Sequence, residues 1–461
     1  MKIYVFVLLI NLLAHQAFSE SDIHIGYRVT LAIPTEYAKG FLGRAFLMET
    51  EQTVPHFRAA ISVEAVNEKY SCSLDVFLGG VRVWSSGHLS RFYTTEKCVL
   101  ELTDSGDLRL KGEKEFVGWR SGTSGQGVKR LNLLRTGNLV LVDALDFIKW
   151  QTFNFPTDIM LWGQRLSSQT RLTSFPLNST LFYSLEIQND KIALYLNFGK
   201  WKYSYWEYQP SSKQNITFVQ LTSNGLEIFN GDHRFDQIRS AGPEALRFLA
   251  LENSTGNLRL YHYSEEKEKF EASYQALNQT CDLPLACKPY GICTSSGSCS
   301  CIRLMLQSEC RNENLEGLCG KRQAEMVELQ GVMSVLRSVS HKGNVGKEEC
   351  AEFCLEDCSC AAAEYVEDEE KRNSGDCFVY NIARGMRQVE KGNRISRYMV
   401  KVGKGRNDGE GRNSGVKKWV IIVVGVVDGF IIVVVLGGVG YYVIWKRRKN
   451  RAGSRARAPT T

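Results

Sequence analysis

Twelve of the fourteen cysteines lie between Cys281 and Cys377, at spacings that zinc sites and disulfide frameworks share. The two chemistries need opposite compartments, because thiolate ligands must stay reduced and disulfides need an oxidising environment. Met1 and Lys2 precede an apolar run over residues 3–13, and Ala17-Phe18-Ser19 is a small-x-small cleavage site. That is a secretory leader over residues 1–19. The cysteines are therefore assigned to disulfides, and no metal is expected. Cys281, Cys287, Cys293, Cys299, Cys301 and Cys310 form one cluster. Cys319, Cys350, Cys354, Cys358, Cys360 and Cys377 form a second. Cys72 and Cys98 stand alone in the first 280 residues and are expected to pair. Pairing within the two clusters stays open.

Catalytic chemistry finds little to work with. The seven histidines (His15, His24, His56, His88, His233, His262, His341) form no recognisable Ser-His-Asp set, and no carboxylate pair stands out. The run Glu367-Asp368-Glu369-Glu370 reads as a solvated loop. No catalytic residue and no cofactor are assigned, and a non-enzymatic protein is expected. Four glycosylation sequons, at Asn178, Asn215, Asn253 and Asn278, fall in one stretch and mark it as open and hydrophilic.

The elements that must position these residues are mostly strands. From about Gly26 to Thr280, apolar and polar residues alternate between Gly, Asn and Ser turns, which is the all-β pattern. Five segments repeat a strand–turn–strand design: Val76 to Trp84, Leu102 to Leu110, Leu133 to Leu141, Val219 to Ile228, and Leu251 to Tyr261. They imply two β modules built by internal repetition. The aromatic-rich residues 194–208 read as a strand pair in the second module's core. The small cysteine-rich remainder needs cross-links because it cannot bury enough surface. Residues 347–359 have a helical pattern that places Cys350, Cys354 and Cys358 on one face.

The C-terminal end points to a membrane. Residues 419–445 are almost all Val, Ile, Gly and aromatic, long enough to span as a helix, and Lys446-Arg447-Arg448-Lys449 marks the cytoplasmic flank. A single-pass type I plasma-membrane protein with its N-terminus outside is expected. Residues 402–418 form a Gly-rich linker, and residues 446–461 form a basic tail too short for a catalytic domain. Asp428 lies within the apolar run, where a carboxyl is costly and usually functional. Gly425 and Gly429 make a small-xxx-small face for close helix contact. That face is expected to associate with a second copy or with a kinase-bearing receptor. The basic residues after Trp445, with those of the linker, exceed the whole formal charge of +7, so residues 1–400 are mildly acidic. The basic balance therefore does not indicate a nucleic-acid partner.

Several runs resemble one family. Trp150 to Asp158 (WQTFNFPTD), followed by Gly163-Gln-Arg-Leu166, resembles a signature of plant bulb-type-lectin and S-locus-glycoprotein-like receptors. Gly256 to Tyr261 (GNLRLY) resembles an element of their second lobe. Cys287-x-Pro289-Tyr290-Gly291-x-Cys293, with Cys299-x-Cys301, resembles their EGF-like module, and Cys310-Arg311 with Cys319 resembles the segment that follows it. Cys350-x3-Cys354-x3-Cys358-Ser359-Cys360 and Gly375-Asp376-Cys377 resemble a PAN/apple domain. The resemblance implies a mainly β fold: a bulb-type lectin domain (26–164), a second lectin lobe (165–280), an EGF-like module (281–318) and a PAN domain (319–401). Both lobes would be β-prisms. It further implies a receptor-like role toward an extracellular protein or glycan ligand, with pollen recognition as a role within the family. The family's usual cytoplasmic kinase has no counterpart here, so the chain looks like a kinase-less, PAN-containing member that signals through a partner.

Bulb lectins hold mannose through Gln-x-Asp-x-Asn-x-Val-x-Tyr, whose polar side chains bond sugar hydroxyls beside an apolar wall. At the third repeat, Asn138 and Val140 match and the Gln and Asp do not. In the second module, Asn257 and Tyr261 match, and Asn253 stands at the Gln position. The second repeat keeps none, having Asp107 where the Asn belongs. A site without its orienting polar pair loses most of its affinity. A protein-binding scaffold is expected, with mannose binding as the alternative.

Overall fold

A computed structural model describes residues 22–51, 54–176, 180–302, 320–338, 341–368, 374–389 and 396–403. The expected leader, the apolar segment 419–445 with Gly425, Asp428 and Gly429, the basic tail, and Asn178, Cys310 and Cys319 lie outside the described residues. Among the described residues, no helix is long and apolar enough to cross a membrane.

The alternating pattern does produce a mainly β protein. The first lobe is three antiparallel sheets. One contains Leu42–Glu49, Phe57–Val66, Lys69–Leu78 and Val81–Ser85, with Phe92–Thr94 added beside Lys69–Leu78. The second contains Arg28–Ala32, Lys97–Leu102, Leu108–Lys111 and Val117–Arg120. The third contains Ile23–His24, Val128–Leu133, Leu139–Asp143 and Ile148–Gln151. Inward residues of all three, among them Leu74, Leu100 and Leu131, share one core. The second lobe repeats the plan with three four-stranded sheets, and Ile159–Leu161 already pairs there with Leu246–Leu251.

All five repeat segments are hairpins. Three of them turn on a glycine that no other residue replaces. Gly106, Gly137 and Gly256 have φ near +83°, +82° and +74°. A Cβ there would lie 2.8 Å from Val128, 2.4 Å from Phe57 and 2.6 Å from Tyr183. Left-handed backbone and close approach both demand glycine. In the aromatic pair, Ile192–Phe198 and Trp201–Tyr208, the side chains of Tyr195, Tyr203 and Tyr205 are buried in or beside the second core.

The cysteine-rich part is not a string of separate beads. A five-stranded sheet (Ala324–Leu329, Ser396–Gly403, Ala362–Glu367, Gly375–Tyr380, His341–Val345) carries one helix, Lys347–Glu356. The helix is shorter than its pattern suggested, and Cys358 lies beyond it. Asp357 caps the end with extended backbone, and its carboxylate accepts from the Ser359 N–H (2.8 Å) and hydroxyl (2.7 Å). That local bonding competes with another helical turn. The strand Gly291–Cys293, in the stretch expected to be EGF-like, pairs in parallel with Met386–Gln388 of the PAN-like region. Tyr203 of the second lobe accepts from the Asn381 N–H (2.8 Å), and Arg337 N–H donates to Ser204 O (2.7 Å). One apolar cluster runs from Leu185 through Tyr290 to Tyr398, joining the second lobe to both halves of the cysteine-rich part.

Disulfides join Cys72–Cys98, Cys281–Cys293, Cys287–Cys299, Cys350–Cys377 and Cys354–Cys360. Cys301 and Cys358 are disulfide-bonded as well. Among the described residues, no group of three or more His, Cys, Asp or Glu is placed to hold a metal.

Candidate ligand-binding site

The residues that match the mannose pattern are not aimed at solvent. Asn138 follows Gly137 in the turn and is only 4% exposed. Its amide donates to Gln151 Oε1 (2.8 Å), and its oxygen accepts from Thr152 Oγ1 (3.1 Å) and Phe153 N–H (3.3 Å). Val140 is buried on the next strand. Asn257, 2% exposed, repeats the device: its oxygen accepts from the N–H groups of Leu258 (2.9 Å) and Leu277 (3.1 Å), and its amide donates to Leu277 O (2.8 Å). Tyr261 stacks on Phe248 at 4.8 Å and donates to Glu252 Oε1 at 2.9 Å. Burial, with Glu252 beside it, raises the Tyr261 pKa.

Asp107 occupies the same position in the second repeat. It accepts from Gly122 N–H (2.9 Å), Thr123 N–H (3.1 Å), Ser121 Oγ (3.1 Å) and Arg109 Nε (2.7 Å). Burial by itself raises its pKa, but Arg109 and the other donors outweigh that and hold the carboxyl below its usual range. All three repeats thus place a short Asn or Asp behind the turn glycine to tie the hairpin to the next segment. A sequence pattern cannot separate this lock from a sugar-binding asparagine, because both need the same short polar side chain.

The seam between the lobes absorbs a sequon. The Asn253 amide donates to Asp158 Oδ2 (2.5 Å), and its oxygen accepts from Phe175 N–H (2.6 Å). A glycan on that nitrogen displaces the Asp158 bond, whereas Asn215 and Asn278 are exposed. Glycopeptide mass spectrometry of the folded protein is expected to find glycan at Asn215 and Asn278 and little at Asn253. High occupancy at Asn253 contradicts this seam.

His88 is buried nearby, with Nε2 2.6 Å from Thr173 O and Nδ1 3.9 Å from Asp158. The carbonyl fixes the proton on Nε2. Burial lowers the His88 pKa from 6.5, with Asp158 only partly opposing. The unfolded chain therefore takes up a proton first as pH falls. Stability is constant above about pH 6.5 with respect to this group and declines below it, by up to about 1.4 kcal/mol per pH unit. His88→Gln retains a donor for Thr173 and is expected to flatten the urea midpoint between pH 6.5 and 5. An unchanged slope refutes the assignment.

Two clefts stand out. One, about 620 Å³, lies between the second lobe and the PAN-like region. Four of its charges pair, Glu207 with Arg337 (3.1 Å) and Asp282 with Arg387, and Glu364 accepts from the Tyr380 hydroxyl (3.0 Å). The other, about 420 Å³, opens where the last strands of the first lobe's three sheets meet. Each strand brings one tryptophan: Trp84, Trp119 and Trp150, packed edge-to-face with centroids 5.7–6.3 Å apart. Sequence reasoning placed Trp84 at the end of a repeat and Trp150 in the family signature, left Trp119 out, and gave none of them a binding role. Their signal was one tryptophan per sheet, but only the assembled sheets bring the three together.

A lectin-like β scaffold tied to a cross-linked PAN-like module defines the class of protein. Residues 82–180 match the D-mannose binding lectin model, and residues 319–383 match the PAN-like domain model. Three plant proteins are similar to the chain in sequence. The chain is 27% identical to the PAN domain-containing protein At5g03700 of Arabidopsis thaliana, over 66% of this chain and 64% of that protein. It is 23% identical to the Arabidopsis G-type lectin S-receptor-like serine/threonine-protein kinase SD2-5, over 65% of this chain and 38% of the kinase. It is 27% identical to Arabidopsis EP1-like glycoprotein 4, over 62% of this chain and 70% of that glycoprotein. The match thus spans less than two thirds of the first two relatives. Among solved structures, a monomeric mannose-binding lectin from Gastrodia elata aligns over 29% of this chain and 96% of its own at 20% identity, with a TM-score of 0.18.

Proposed function

We propose that this protein is a non-enzymatic, single-pass receptor-like protein of the plant cell surface. It recognises an extracellular protein or glycan through its lectin-like scaffold and signals through a membrane partner, as co-receptor or decoy of lectin receptor kinases. The observation that supports the recognition reading is the burial of Asn138 and Asn257 in hydrogen bonds to neighbouring segments, which occupies the side chains that a mannose site at those repeats needs. The match to the D-mannose binding lectin model favours the alternative, a true mannose lectin. Calorimetric titration of the full-length chain with methyl α-mannoside separates them. No heat of binding at millimolar sugar is expected, and saturable binding overturns the reading. For the partner, co-precipitation of a lectin receptor kinase from membranes is expected to fall in an Asp428→Leu, Gly429→Leu variant. Unchanged capture removes the proposed helix face.

A further inference from the structure

The tryptophan cleft carries a more specific ligand. We propose that it binds an acidic sugar, a uronic-acid unit of an extracellular glycan, which deepens the recognition reading and rests on it. The cleft volume of about 420 Å³ lies within the range of small-ligand sites. Trp84, Trp119, Trp150 and Phe155 supply aromatic walls. Phe155 lies nearly parallel to Trp150, 5.8 Å away at 23°, yet is 53% exposed. A rigid, half-exposed ring suits the C–H face of a pyranose, which is flat and apolar enough to pack on it.

The polar groups specify the rest. Trp84 Nε1–H donates to Phe155 O (2.9 Å) and is satisfied. Among the described residues, no hydrogen-bond partner meets the indole N–H of Trp119 or Trp150, and neither nitrogen is sealed from solvent. An occupant that covered either N–H without accepting from it would leave a donor unmet, and that is costly once water is excluded. An occupant rich in oxygen acceptors satisfies them. Arg120 and Arg171 also line the cleft, and no carboxylate does. Arg171 lies 3.5 Å from Glu186 outside the lining. Arg120 forms no ion pair among the described residues and is exposed. A guanidinium fork matches a carboxylate in two parallel bonds. Donors, a cation and a packed aromatic wall together describe a ligand with hydroxyls, one carboxylate and an apolar face.

The test uses the purified full-length chain, a galacturonic-acid trimer, a neutral galactose trimer of equal length and a glutamate tripeptide. The uronate trimer is expected to bind, to perturb tryptophan fluorescence, and to weaken as salt is raised. Arg120→Ala is expected to weaken it about tenfold, the scale of a lost charge-assisted pair. Trp119→Phe keeps the packing while removing an N–H, so it is expected to weaken binding several-fold without changing the urea midpoint. No uronate binding overturns the proposal. Equal binding of the neutral trimer overturns the acidic assignment, and equal binding of the tripeptide overturns the sugar. Unaltered affinity in both variants overturns the site. These failures are distinct from mannoside binding, which tests the broader reading.

Discussion

Asn257→Ala is expected to lower stability by about 3 kcal/mol. The side chain is buried, and its loss leaves Leu277 N–H and C=O without the partners they hold at 3.1 and 2.8 Å. Leu277 is half-buried, so each orphaned group costs toward the lower end of about 1–3 kcal/mol, and the replacement methyl recovers little. Asn257→Asp fares no better, because a carboxylate oxygen then faces Leu277 O where an amide donated. The measurement is the urea midpoint together with hydrogen exchange at the Leu277 amide, which should lose protection first. Lys213→Ala, on an exposed residue, serves as control with a shift under about 0.5 kcal/mol. A binding-site asparagine gives the opposite result: unchanged stability and lost affinity. A stable Asn257→Ala protein therefore restores the mannose reading of that repeat.

The second large effect concerns Cys72 and Cys98. Both are buried, and they join Lys69–Leu78 of one sheet to Lys97–Leu102 of another, closing 26 residues of chain. Replacing both with alanine frees the unfolded chain from that loop, at a cost of about 3 kcal/mol from loop entropy and more from the vacated core volume. The urea midpoint of the first lobe is expected to fall while exchange protection of the PAN-like sheet stays unchanged. Equal loss in both regions would mean that the lobes unfold as one.

Much of this architecture was readable before the coordinates. Gly-Asn-Leu and Gly-Asp-Leu announce a turn because the glycine alone accepts a left-handed φ and the apolar residue after the polar one must point inward. The helix at Lys347–Glu356 was readable as well, but its end was not. Asp357 and Ser359 form a local bond that apolar periodicity does not register. Asn138 and Asn257 were legible as special but ambiguous in role. Whether a polar side chain meets a ligand or a backbone N–H depends on what the neighbouring segment places opposite, here residues 151–153 and Leu277. The tryptophan cleft was illegible, since it arises where three sheets far apart in sequence converge.

The parallel pairing of Gly291–Cys293 with Met386–Gln388 changes what counts as an exchangeable part. A chimaera cut between the EGF-like and PAN-like stretches severs a strand pair and splits one apolar core. Grafts between relatives should therefore move the second lobe, EGF-like and PAN-like regions as one cassette. The lobe junction near Ile159 is no cleaner, because Phe248 and Ala250 of the second lobe pack in the first lobe's core and Asn253 bonds Asp158 across the seam. Exchange between relatives that keeps each core whole therefore has to respect these contacts, whatever boundaries the sequence motifs suggest.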